Sequence, residues 1–180
     1  MEEEGLEYLK EFLMEQDIRS MLEVGTAVGY SSICLAEHKK DLNIVTIEKD
    51  EARYQEAAEN IAESTCAARI QAVCMDARVY ESEEMFDLIL LDGAKSINDQ
   101  LVAHFDGNLK TGGYFVVDDV YLHGFVDHPE VIYDRRFRSL VRKLTKFKED
   151  ILRDERYESS YVEVGDGLII AKKKVVREYE

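Results

Sequence analysis

Tryptophan is absent from this 180-residue chain, proline occurs once and cysteine three times. The single proline, Pro129, leaves the rest of the chain free to form uninterrupted helices and strands. Cys34, Cys66 and Cys74 are odd in number, lie in apolar surroundings and form no C-x-x-C pair. That argues against a disulfide framework or a zinc site and predicts reduced thiols in a core. No apolar run reaches the length of a membrane span, and Met1-Glu2-Glu3-Glu4 has the wrong charge for a signal or transit peptide. A cytoplasmic protein with no membrane partner is expected. Basic residues are also scarce, with 23 Lys and Arg against 38 Asp and Glu for a net charge of −15. At long range such a surface repels polyanions.

The average conceals one basic stretch. Between Tyr133 and Lys148 stand Arg135, Arg136, Arg138, Arg142, Lys143, Lys146 and Lys148 against Asp134 alone. On a helical wheel Arg135, Arg138, Arg142 and Lys146 share one face, opposite Phe137, Leu140, Val141, Leu144, Phe147 and Ile151. That face is either a solvated charge run or a surface for phosphates.

With 46% apolar residues, 180 residues suit one core, and a single domain over residues 1–180 is expected. Periodicity predicts helices over 4–16, 30–38, 51–63, 97–109 and 134–152. It predicts strands over 19–24, 42–47, 70–73, 86–91, 114–117, 157–164 and 168–174, the last two joined by Gly165-Asp166-Gly167. The glycines of Lys110-Thr111-Gly112-Gly113 read as the break after a helix, and 120–132 as a long loop. Alternating strands and helices imply an α/β, Rossmann-like fold, a mostly parallel sheet with helices on both faces and an antiparallel C-terminal hairpin.

Ligands of such sheets bind at the carboxyl ends of the strands. Here those ends carry Glu23 and Gly25, Glu48, Asp76, Asp92, and Asp118 with Asp119. Met21 to Ser32 reads as strand, glycine turn and helix start, where backbone N–H groups lie open to a ligand. Glu48 follows Gly29 by roughly 20 residues, the spacing of an acid that holds ribose hydroxyls. Gly25, Gly29 and Glu48 suit a dinucleotide or S-adenosylmethionine, but the turn lacks G-x-G-x-x-G, which favours a ligand without a pyrophosphate. Asp76 either bonds an adenine amino group or caps the turn before Ala77. Asp92, Asp118 and Asp119 would repel one another unless a cation lay between them, and all-oxygen ligands suit Mg²⁺, Mn²⁺ or Ca²⁺. Separate solvated cap residues are the alternative. Lys95 lies close enough in sequence to face the same site, as a base or as an ordinary surface lysine. His123 and His128 read as plain loop histidines near the substrate mouth.

EVGTAVGYS from Glu23, Glu48, Asp76-Ala77, FDLILLDGAK from Phe86 and GGYFVVDDVYLHG from Gly112 together resemble the cation-dependent O-methyltransferases related to catechol and caffeoyl-CoA O-methyltransferases. The similarity extends over nearly the whole chain. RRFRSLVRKL from Arg135 and VGDGLIIAKKK from Val164 most resemble the bacterial tRNA 5-hydroxyuridine methyltransferases. The resemblance implies S-adenosylmethionine contacts at Met1, Glu23, Gly25, Ser31, Glu48, Asp76, Ala77 and Asp92. It implies metal ligands at Asp92, Asp118 and Asp119, with Mg²⁺ expected, and catalytic roles for Lys95 and Asp92. The family commonly has asparagine where this chain has Asp119. The implied acceptor is the 5-hydroxyl of wobble 5-hydroxyuridine in tRNA, whose anticodon stem-loop would meet Arg135, Arg138, Arg142 and Lys146, and a homodimer is expected. A small-molecule, catechol-type O-methyltransferase is the nearest alternative; an NAD-binding oxidoreductase or a non-catalytic scaffold is more distant.

Overall fold

The computed structural model describes residues 1–93 and 95–175; Ala94 and the last five residues of the expected domain lie outside the described residues. Helices and strands alternate as α1 (Glu3–Glu15), β1 (Ser20–Val24), α2 (Tyr30–His38), β2 (Asn43–Glu48), α3 (Glu51–Glu63), β3 (Ile70–Cys74), β4 (Phe86–Leu91), α4 (Asn98–Phe105), β5 (Leu109–Val117), α5 (Arg135–Arg153), β6 (Tyr157–Val162) and β7 (Leu168–Lys173). The strands form one sheet in the order β3-β2-β1-β4-β5-β7-β6. The first five are parallel, and β7 runs antiparallel to both neighbours. The expected Rossmann-like α/β sheet with an antiparallel C-terminal hairpin is the observed fold. None of the described helices is long and apolar enough to cross a membrane.

The apolar runs of the strands still alternate. Leu22, Val24, Ile89, Leu91, Phe115 and Val117 face α4 and α5, whose Leu101, Val102, Phe105, Val141, Leu144, Phe147 and Ile151 close that core. Met21, Leu88, Leu90, Tyr114 and Val116 face the opposite way, toward Leu6, Leu9, Phe12 and Leu13 of α1, Leu35 of α2 and Ile61 of α3. A sheet covered on both faces therefore has apolar side chains at consecutive positions.

Register sets out the site. Val24 pairs with Ile47 on one side and Leu91 on the other, and Leu91 pairs with Val117. The next residues, Gly25, Glu48, Asp92 and Asp118, consequently line up along one edge of the sheet. The chain reverses its winding between β1 and β4, and the crevice of a doubly wound sheet lies at such a reversal.

Two expectations need correction. The helix expected over 97–109 is shorter, with a 3₁₀ turn at Lys95–Ile97, α4 ending at Phe105 and a second 3₁₀ turn at Asp106–Asn108. Lys110 to Gly113 is no helix stop but part of β5, where pairing jumps from Phe86↔Leu109 to Leu88↔Tyr114. The extra residues wrap Asp87: Gly112 has φ 81°, and a Cβ on Gly113 would lie 2.8 Å from the Asp87 carbonyl oxygen. Glycines there serve a bulge. The thiols also differ from expectation. All three are free, but Cys66 alone is buried, Cys34 is half-buried, and Cys74 is exposed on edge strand β3.

Asp87 ties this end of the sheet together. Its Oδ2 accepts from the Arg19 and Ser20 N–H groups at 3.0 and 2.9 Å, and its Oδ1 accepts from Lys110 Nζ at 2.7 Å. Burial works against its charge, yet Lys110 and these donors hold the carboxyl below the usual range. Asp87→Ala should cost about 1–3 kcal/mol in urea unfolding, the penalty of orphaned donors. Because the folded pKa lies below the unfolded one, the difference between wild type and variant should persist above about pH 4 and vanish as pH falls through the folded pKa.

Candidate active site

At the reversal point the chain must leave β1 and enter α2 while passing close to β4. Gly25 has φ 106°, and a Cβ there would lie 2.5 Å from the Asp92 carbonyl oxygen. Only glycine fits that approach. The turn then follows the neighbouring strand, with Gly25 N–H donating to Ile47 O at 2.9 Å and Ala27 N–H to Glu48 Oε2 at 3.0 Å. Ala27 is left-handed at φ 48°, as is Gly29 at φ 83°, just before α2 begins. The first turn of α2 has no side-chain cap, which leaves its N–H groups available to a ligand.

A cavity of about 330 Å³ opens beside this turn, lined by Gly25, Ala27, Glu48, Asp76, Ala77 and Asp92. Five of these, Gly25, Glu48, Asp76, Ala77 and Asp92, are among the residues expected to hold S-adenosylmethionine. Lys49, Arg53, Met75, Arg78, Ile97 and Leu101 also line it and were not singled out from the sequence. Ile97 and Leu101 supply an apolar wall suited to a flat base. The second carboxylate oxygen of Glu48 accepts the Asp50 N–H at 2.9 Å, so backbone donors on both sides fix its orientation. Asp76 caps the turn before Ala77 through the Arg78 N–H at 3.0 Å and pairs with the Arg78 guanidinium at 2.6 Å. Arg78 holds its carboxyl well below the usual carboxylate range.

Glu23 and Ser31 are brought together, but beneath the turn. The Glu23 carboxylate is fully buried and accepts from the hydroxyls of Ser31, Ser32 and Thr46. Thr46 is also 2.6 Å from the Thr26 hydroxyl. Burial pushes the Glu23 carboxyl up, and the three hydroxyl donors counter it. This network ties α2 to β1 and β2 under the cavity floor.

Next to the cavity, sharing Asp92 with it, lies the acidic cluster. Asp92, Asp118 and Asp119 each place a carboxylate oxygen within 4.8 Å of the others. Lys95 Nζ reaches Asp119 at 2.9 Å, Asp92 at 3.3 Å and the Asp118 carbonyl at 3.2 Å. The Met1 amino group lies 2.9 Å from Asp92 and 3.4 Å from Asp118. Among the described residues buried Asp118 Oδ2 accepts no hydrogen bond, and the Asp118 carboxyl is pushed up to about 6, by burial first and then by Asp92 and Asp119. Burial opposes the charge on Lys95, but Asp92, Asp119 and Asp118 outweigh it and raise its pKa. Three hard oxygen donors with an orphaned buried oxygen fit a divalent cation.

Asp119 adopts a left-handed backbone, φ 53°, which asparagine and aspartate tolerate better than other side chains. His123 and His128 lie in the following loop with their rings largely exposed. The basic face of α5 is exposed, but two of its four cations have partners in the chain. Arg138 donates to the Ile132 carbonyl, and Lys146 pairs with Asp150 at 2.6 Å.

Residues 2–174 match the model of a protein family described as O-methyltransferase. The chain belongs to that O-methyltransferase family. The structure superposes on a protein from Staphylococcus aureus provisionally named a caffeoyl-CoA O-methyltransferase, with TM-score 0.90 and 27% identity over 94% of this chain and 82% of that one. It also superposes on an O-methyltransferase from Bacillus cereus in complex with SAH, with TM-score 0.80 and 26% identity over 94% of this chain and 80% of the other. A curated relative, the tRNA1(Val) (adenine(37)-N6)-methyltransferase of Bacteroides thetaiotaomicron, is 38% identical over 76 residues. That match takes in 42% of this chain, which spans about a third, 32%, of the relative's length.

The Gly25 approach gives this O-methyltransferase a sharp test. Gly25→Ala combines a clash with backbone and a positive φ, strain of about 1–3 kcal/mol or more. It should lower stability in urea by at least that amount and abolish S-adenosylmethionine binding in calorimetry at temperatures where the variant remains folded.

Proposed function

We propose that this chain transfers the methyl group of S-adenosylmethionine to a hydroxyl of a small molecule bearing two adjacent oxygens, of the catechol class, and that Asp92, Asp118 and Asp119 would hold a divalent cation for the acceptor oxygens. The observation that carries the reading is Asp92, which belongs both to the wall of the cofactor-sized cavity and to the three-carboxylate cluster. A donor in the cavity and an acceptor at the cluster would then be neighbours. The Staphylococcus likeness, provisionally named a caffeoyl-CoA O-methyltransferase, supports a small-molecule acceptor over a tRNA, and the Bacillus likeness supports O-methyl transfer.

In this reading Glu48, oriented by Ala27 and Asp50, takes the ribose hydroxyls, and the Gly25 turn lets the methionine end lie against bare backbone. A divalent cation at Asp92, Asp118 and Asp119 would lower the pKa of the acceptor hydroxyl and align the attacking oxygen. The acceptor oxygen forms its bond to the methyl carbon as the carbon–sulfur bond breaks, which leaves a neutral thioether, and the hydroxyl proton passes to solvent. Lys95, 2.9 Å from Asp119 and 3.3 Å from Asp92, stands where it can take the acceptor's proton or stabilise the oxyanion once it forms.

The tRNA acceptor expected from the sequence is retained as the second reading, favoured by the exposed cationic face that includes Arg135 and Arg142. Nucleoside mass spectrometry of tRNA from a strain lacking the gene separates the two. Unaltered 5-methoxyuridine supports the small-molecule reading, and its replacement by 5-hydroxyuridine overturns it.

For the purified enzyme with a catechol acceptor, EDTA should abolish turnover and added Mg²⁺ or Mn²⁺ should restore it; full activity in EDTA would refute the cation. Lys95→Ala should lower kcat about 10²–10³-fold, the loss typical of one oxyanion donor, with S-adenosylmethionine affinity in calorimetry essentially unchanged.

A further inference from the structure

We propose that Asp166, in the turn between β6 and β7, is a positioning residue for the acceptor: it clamps the strained segment after Asp119 and so fixes where Asp119 stands. The proposal rests on the reading above, in which the acceptor binds at Asp92, Asp118 and Asp119.

Asp119 is held between two backbone hydrogen bonds. On one side Asp118 N–H donates to Leu91 O at 3.1 Å, continuing the β4–β5 ladder; on the other Val120 N–H donates to Gly167 O at 3.2 Å. Beyond it the chain enters a conformation that L-residues avoid. Leu122, His123 and Gly124 are consecutively left-handed, with φ 48°, 52° and 87°. Leucine and histidine are strained in that region, and such runs persist only where the surroundings over-determine them.

The Gly165–Gly167 turn does that here. Tyr121 N–H donates to Asp166 O at 2.9 Å, and His123 N–H donates to Asp166 Oδ1 at 2.5 Å. Three donors of one short segment therefore end on two adjacent residues of a distant turn. The Asp166 carboxylate is only 5% exposed. Among the described residues no lysine or arginine pairs with it, and the His123 ring, 72% exposed, lies 3.5 Å away. A buried carboxylate without a lysine or arginine partner is costly unless its hydrogen bonds serve a purpose. Its turn is as tightly shaped as the segment it holds: Gly165 and Gly167 are left-handed, and a Cβ on Gly167 would meet the Tyr161 hydroxyl at 2.7 Å.

The test compares Asp166→Ala with Asp166→Asn, which keeps an amide oxygen where Oδ1 stands. Amide hydrogen exchange is read over residues 120–124 with S-adenosylmethionine present, alongside steady-state kinetics with a catechol and Mg²⁺. Asp166→Ala should speed exchange at His123 and raise the acceptor KM, each about tenfold, as expected for one buried hydrogen bond. The S-adenosylmethionine Kd should stay within about twofold, and Asp166→Asn should restore both readouts to within about threefold of wild type. Should the alanine variant fail to fold, Asp166→Ser, with an acceptor too short to reach, takes its place. Unchanged exchange at His123, an unchanged acceptor KM, or an Asn variant as impaired as Ala would each overturn the proposal. A wild-type enzyme that methylates no catechol overturns the acceptor reading instead, and the exchange comparison then decides the clamp alone.

Discussion

The structure depends on the contact between Gly25 and the backbone of Asp92. Ends of neighbouring parallel strands normally diverge into separate loops; here a residue without a side chain lets the β1 turn rest on the β4 turn, at 2.5 Å for a hypothetical Cβ. That contact makes one wall of the cofactor cavity from the same residue that begins the acidic cluster. Donor and acceptor sites come to share a boundary because two strand ends touch.

Rigidity under that contact comes from buried polar groups whose hydrogen bonds are satisfied. Glu23 lies under the turn with three hydroxyl donors and no cation, and Glu48 stands above it with two N–H donors. A satisfied buried network fixes orientation because every alternative leaves a group unpaired. The acidic cluster is the opposite case. Its carboxylates repel, Asp118 keeps an oxygen without a hydrogen bond, and the nearest compensation is the ammonium of Lys95 and the Met1 amino group. Strain of this kind is relieved by a cation, so along one edge of the sheet a satisfied network supplies rigidity and an unsatisfied cluster supplies a place to bind.

The rim was legible in the sequence because in-register parallel strands end together, so Gly25, Glu48, Asp92 and Asp118 could be placed from strand ends alone. Gly112 and Gly113 were misread because a glycine pair after an amphipathic stretch is also how helices end, and only the pairing with β4 distinguishes a bulge. The buried placement of Glu23 and Ser31 was hidden for a different reason: the resemblance implied them as cofactor contacts by position along the chain, whereas strand alternation turns Glu23 toward the hydroxyls of α2. Arg78 on Asp76, and Arg53 and Ile97 in the cavity wall, left no pattern because their roles come from tertiary approach. Asp166 stood in a G-D-G turn that announced a hairpin and gave no sign of the segment it holds.

Acceptor choice is the part of the function that the fold leaves most open to the surface. The basic face of α5 spends part of its charge on partners within the chain, Arg138 on the Ile132 carbonyl and Lys146 on Asp150, on a chain whose net charge is −15. The acidic cluster, by contrast, is convergent and partly buried, with Asp118 out of solvent, and electrostatic effects act more strongly there than on an open helix face. The most direct test is a crystal structure of the protein with SAH and Mn²⁺, with the ion located by anomalous scattering. The account predicts SAH in the cavity between Glu48 and Asp92 and one Mn²⁺ peak among Asp92, Asp118 and Asp119; SAH bound there with the ion elsewhere, or with no peak, would contradict it.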